Sequence, residues 1–207
     1  MEIDIKEFKL LCEKGSESYN EDMVGICKKG AWVLDGATGL NNKNLISKES
    51  DAKWYVSWWN KYLEENISKN TSLKKIVLDG LEDIKKEYLL KLNGLKIEEL
   101  DTPSASAIII KLYEDKLEYF LLGDCTLLLN DLKKNTIIKD ERVCQFDEEV
   151  LIRMSELNKI EKLSLVEKKN ILLPLIIENR LKKNSEEGYW ILEFNKEAVE
   201  KSIHGYI

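Results

Sequence analysis

Asn20–Leu40 reads NEDMVGICKKGAWVLDGATGL, and this stretch decides the fold. Two short apolar runs, Met23–Cys27 and Ala31–Leu34, flank the polar Lys28-Lys29-Gly30. Apolar runs broken by a Gly-containing polar turn predict a β-hairpin. A hairpin returns its far end to the level of its start. Glu21, Asp22 and Asp35 are therefore expected to converge at one sheet edge despite their separation in sequence. Converging carboxylates with a backbone carbonyl beside them suit a hard, oxygen-seeking cation such as Mg²⁺ or Mn²⁺. The plainer alternative makes Asp35-Gly36 a turn dipeptide and Asn20-Glu21-Asp22 a solvated loop.

The rest of the chain limits what such a hairpin serves. Its 207 residues fit one domain, 1–207, with a substantial core. Charged residues make up 34% and the net charge is −6, a balance that disfavours nonspecific nucleic-acid binding. No apolar run is long enough to span a bilayer and the start, MEIDIKEFKLL, lacks a basic leader, so no membrane partner and a cytoplasmic location are expected. Cys12, Cys27, Cys125 and Cys144 are widely spaced and His204 is the lone histidine, which removes zinc-finger, iron–sulfur and disulfide-scaffold readings. The cysteines are expected to be reduced and buried or half-buried.

Along the chain, Ile3–Cys12 alternates imperfectly and predicts a first strand, followed by a polar loop at Gly15–Ser18. After the hairpin, about Ser47–Ile67 predicts a helix with Trp54, Trp58 and Tyr62 in line and Tyr55, Trp59 and Leu63 beside them. Such a stripe reads as core packing against a sheet rather than a nucleotide-stacking surface. Ser72–Lys91 predicts a second helix, weakened by Gly80 and closed by Asn93-Gly94. Ser106–Leu112, Leu117–Leu122, Thr126–Asn130 and Thr136–Lys139 then predict an antiparallel meander. Asp147–Leu163 and Ser164–Lys183 predict helices, the second interrupted by Pro174. Tyr189–Leu192 predicts a short strand, and Asn195–Ile203 a short helix capped by Asn195. Strands alternating with helix runs predict an α+β layered architecture.

Leu121-Leu122-Gly123-Asp124-Cys125-Thr126 puts a second aspartate at a turn between apolar strands, where it is expected at the same sheet edge as Asp35. An ordinary Gly-Asp turn is the alternative. The ordered set Asn20-Glu21-Asp22, Asp35–Leu40, two helices, Pro103–Ile110 and Leu122–Cys125 resembles the metal-dependent protein phosphatase 2C family, especially its bacterial members. Gly188–Leu192 extends the resemblance more weakly. It implies an α/β/β/α sandwich of mainly antiparallel sheets flanked by helix pairs, with two Mg²⁺ or Mn²⁺ ions at one end. On matching positions, Asp35 would bridge the metals and Gly36 would offer its carbonyl. Glu21 would ligate the second metal, with Asp22 in support. Asp124, with Cys125 in place of the family's serine, would help hold a further metal or its waters. The implied reaction is attack of a metal-activated water on a phosphoserine or phosphothreonine of a phosphoprotein.

Three departures from the family pattern shape the expectation. Glu17 stands where many members carry a phosphate-binding arginine, and Ala37 follows Asp35-Gly36 where some carry a histidine. No aspartate follows Asp147, whereas the family closes its site with two late aspartates, so the fold is expected to be C-terminally incomplete. Two functions remain open: a phosphatase weak or inactive in this chain, and a catalytically silent phosphatase-like binding module.

Overall fold

Gly30, Trp32 and Leu34 are buried while Val33 and Asp35 are open, the period-two alternation of a strand with one covered face. A computed structural model describes residues 5–15, 18–40, 43–131, 134–160 and 163–207. Strands β1 (Asp22–Cys27) and β2 (Gly30–Ala37) form the expected antiparallel hairpin, with Cys27 opposite Gly30 and Asp22 opposite Asp35. The connecting turn is Lys28-Lys29, and Gly30 belongs to the strand rather than to the turn. Described residues 5–15 form no strand, which corrects the expectation for Ile3–Cys12; residues 3 and 4 lie outside the described set.

Helix α1 (Asp51–Asn66) starts four residues after its expected beginning, because Ser50 caps it by accepting from the Lys53 N–H. Helix α2 (Leu73–Leu92) is capped by Ser72 and ends at Asn93, which takes the left-handed conformation at φ 46°. Both helices lie across one face of a five-stranded antiparallel sheet of order β1-β2-β3-β4-β7, comprising β3 (Ser104–Leu112), β4 (Leu117–Leu122) and a late β7 (Ile203–Tyr206). The core forms between them. Trp32, Leu34, Ala107, Ile109 and Phe120 from the sheet meet Tyr55, Val56, Trp59, Leu63, Ile76 and Leu81 from the helices. The aromatic stripe of α1 is thus core on one side, with Trp54, Trp58 and Tyr62 only partly covered. The Trp32 indole donates to Asn60 Oδ1 at 2.9 Å, pinning α1 to β2.

The expected four-strand meander is not one sheet. β5 (Thr126–Asn130) and β6 (Asn135–Lys139) form a separate two-stranded ribbon, and β4 instead pairs with β7. Helices α3 (Cys144–Asn158) and α4 (Leu165–Leu181) pack on each other as a second pair, and α4 runs straight through Pro174. Tyr189 and Leu192 make isolated bridges to Lys183 and Ala105 rather than a strand. Only Lys196–Glu200 (α5) of the expected Asn195–Ile203 helix is helical, with Asn195 as its cap. The architecture is α+β, with antiparallel sheets and helix pairs. All four cysteines are free, but Cys12 and Cys144 are exposed rather than half-buried. Among the described residues no helix is long and apolar enough to cross a membrane.

Candidate metal and phosphate site

The open end of the hairpin gathers the carboxylates. Register places Asp22 directly opposite Asp35, and Asp35 in turn opposite Ser106 on β3. Residues directly opposite on adjacent strands project to the same face. The two side chains are close enough for the Asp22 charge to act on the Asp35 carboxyl. Glu21 sits just before β1; its backbone carbonyl accepts from the Gly36 N–H at 3.2 Å and its carboxylate from the Thr38 hydroxyl at 2.6 Å. Asn20 turns the chain in by accepting from the Asp22 N–H at 3.1 Å.

Asp124 arrives from the next strand pair. Gly123 follows β4 at φ 80°, and the Asp124 N–H points to Ser106 Oγ at 3.4 Å. Ser106 thus lies between Asp35, opposite it in register, and Asp124. Gly123-Asp124 is not a hairpin turn as expected: it is the crossing from the main sheet to the β5–β6 ribbon. The aspartate nevertheless ends beside Asp35. Packing desolvates the Asp35 carboxyl, and repulsion from Asp22, Asp124 and Glu21 adds to it, pushing its pKa up to about 6 although the residue remains open to solvent. Desolvation, with Asp124, Asp35 and Asp22 behind it, pushes the Cys125 thiol up to about 12.

This donor set fits a hard dication in kind. Its groups are carboxylate oxygens, and among the described residues the influences on Asp35 all raise its pKa, burial first and then the neighbouring carboxylates. Among the described residues, however, no three His, Cys, Asp or Glu side chains already converge as ligands of one ion. Glu17, at the position of the family's arginine, lies outside the described residues.

Sequence reasoning missed four residues here. Thr38 and Ser106 are short hydroxyls whose role is visible only once strand register is known. Asp147 on α3 is brought toward Asp124, and burial first and Asp124 second raise its pKa while Arg180 opposes them. Arg180 itself comes from the end of α4 and lines the cleft that contains Glu21 and Thr38. Its signal in the sequence is faint: a lone arginine in the last turn of a helix otherwise rich in Leu and Ile.

No family model matches the chain, and no curated protein matches it. Solved structures do. The catalytic domain of the serine/threonine protein phosphatase PstP in complex with two manganese ions matches with TM-score 0.51 and 14% identity, over 94% of this chain and 68% of that one. Mycobacterium tuberculosis PstP/Ppp matches with TM-score 0.53 and 14% identity, over 94% and 69%. Stp1 from Staphylococcus aureus matches with TM-score 0.50 and 10% identity, over 94% and 67%. The chain therefore spans about two thirds of the length of each of these phosphatases and has their phosphatase 2C-like fold.

Proposed function

We propose that the protein is a metal-dependent phosphoprotein phosphatase acting on phosphoserine or phosphothreonine, of the bacterial type and cytoplasmic. The observation that carries this reading is the pairing of Asp22 with Asp35 at the hairpin's open end, with Asp124 delivered beside them. Asp35 and Glu21 are the principal ligands in this reading, with Asp22, the Gly36 carbonyl and Asp124 around them. Mg²⁺ or Mn²⁺ bound there would supply an activated water and neutralise charge on the phosphoryl oxygens. The chain's own residues do the rest. Thr38 holds Glu21 in place by its 2.6 Å hydrogen bond, and Asn20 fixes the approach of β1. Asp22 stands opposite Asp35 across the two strands, so a cation bound there would offset the repulsion between their carboxylates.

A second reading has its own support. Among the described residues no three candidate side chains are gathered as ligands of one ion. This favours a phosphatase-like module that binds a phosphoprotein without turnover, because dication affinity falls with the number of charged ligands.

Hydrolysis of p-nitrophenyl phosphate at millimolar Mn²⁺ decides between them. Manganese-dependent turnover that disappears in Asp35→Asn supports the phosphatase. Turnover that is absent from the unmodified chain, while Mn²⁺ still binds, supports the silent module.

A further inference from the structure

The cleft that holds Glu21 and Thr38 has a second wall made by α4. Lys169, Leu173, Ile176 and Arg180 follow one another at four-, three- and four-residue steps, so they share one helical face, and all four line this cleft of about 720 Å³. Among the described residues Lys169 and Arg180 are the only cations lining it, and neither side chain makes an ion pair or hydrogen bond there. Across the cleft Glu21 is already held by Thr38, and Glu49 by Lys53 at 2.6 Å. Within this cleft the two α4 cations thus face no unengaged carboxylate; Asp147, which lines the adjoining cavity, acts on Arg180 from the other side.

Ile176 and Arg180 also line a neighbouring cavity of about 420 Å³ between α3 and α4, so Arg180 stands where the two meet. That cavity is walled by Phe146, Val150 and Leu151, and Asn179 forms part of its side. Asn179 is 6% exposed; its amide donates to the Phe146 carbonyl at 3.4 Å, and its Oδ1 is buried with no hydrogen-bond partner among the described residues. A buried acceptor without a partner is costly and accounts for itself once an N–H is delivered to it. Asp147 and Tyr189 also line it, and the apolar part of the wall with its unmet acceptor suits an apolar side chain and the backbone N–H beside it.

We propose that Arg180 is the phosphate-binding residue of this chain: it grips the phosphoryl group of a phosphoserine or phosphothreonine peptide while the flanking apolar residue enters the α3–α4 cavity and its N–H meets Asn179. The inference rests on the phosphatase reading for the nature of the ligand and deepens it. It places on α4 the cation that Glu17 does not provide. A guanidinium offers two parallel N–H donors to phosphoryl oxygens, which a lysine cannot. Lys169, exposed on the same face, adds charge at the rim. Asp147 partly neutralises Arg180 in the free chain.

Fluorescence anisotropy tests this with a labelled phosphothreonine peptide carrying leucine next to the phosphoresidue, against its unphosphorylated twin, in EDTA so that no hydrolysis intervenes. The unmodified chain is expected to prefer the phosphopeptide by roughly fivefold, the scale of one charge-assisted contact at a partly open site. Arg180→Ala removes the preference and leaves the unphosphorylated peptide unchanged. Arg180→Lys restores part of it, and Asp147→Asn increases it. Equal binding of the two peptides by the unmodified chain, or a preference that survives in folded Arg180→Ala, overturns the proposal. No metal or turnover enters this measurement, so a failure of the hydrolytic reading leaves its result standing.

Discussion

Asp22 and Asp35 are direct partners across β1 and β2, and burial together with the facing Asp22 charge holds the Asp35 carboxyl above its ordinary pKa. The Asp35 carboxyl has a folded pKa of about 6 against an ordinary value of 3.8, so the folded state holds the proton more tightly than the unfolded chain does. That stabilisation is complete below the unfolded value and is lost as pH rises through about 6. In the metal-free chain, Asp35→Asn is therefore expected to be more stable than wild type at pH 7, by about 1 kcal/mol after allowing for solvent screening. The gap closes by about pH 4, and urea denaturation of both chains across that range measures it.

Gly80 looks like a weak point of α2 in the sequence, where alanine ordinarily stabilises a helix. The packing reverses the sign. A Cβ at Gly80 would lie 2.6 Å from the Trp59 and Tyr62 rings, both wedged between the two helices. Gly80→Ala is expected to destabilise by about 1–3 kcal/mol, outweighing a propensity gain of about 1 kcal/mol. A urea midpoint above that of wild type would contradict this.

Gly123 is fixed by two constraints at once. It takes φ 80°, and a Cβ there would approach Ser106 Oγ to 2.3 Å. Gly123→Ala is expected to cost about 2 kcal/mol and to displace Asp124, which bonds through its N–H to that same Oγ. A spectroscopic Mn²⁺ titration should show weakened binding even in the folded fraction.

The four thiols divide by environment. Cys12 and Cys144 are exposed, whereas desolvation and the neighbouring carboxylates push Cys125 up to about 12. The thiolate is the reactive form, so at pH 8 a thiol reagent should label Cys12 and Cys144 in the folded chain and leave Cys125 untouched. Mass spectrometry of the labelled peptides reads this directly.

Much of the fold was legible because its signals are local. The runs at Met23–Leu34 and Leu117–Asn130, the helix starts at Ser72 and Ser164 and the cap at Asn93 act within a few residues, and the structure has them nearly as read, with both serines serving as caps just before their helices. What the sequence hid depends on distant partners. β7 is four residues of ordinary composition, made a strand by the free edge of β4, and β5–β6 leaves the sheet because that edge is taken. The helix expected to break at Pro174 continues, since α3 packs along it and holds both halves together. At the site, Asp22, Asp35 and Asp124 were visible as acidic turns. Thr38, Ser106, Asp147 and Arg180 have no motif and become meaningful only through register and the placement of α3 and α4.

Calorimetric titration of the chain with Mn²⁺ tests most directly whether the hairpin's open end is a metal site. Wild type is expected to bind Mn²⁺, and removing one ligand charge in Asp35→Asn should weaken binding by at least about tenfold. Equal affinity of the two chains for Mn²⁺, or no binding by wild type, would contradict the account.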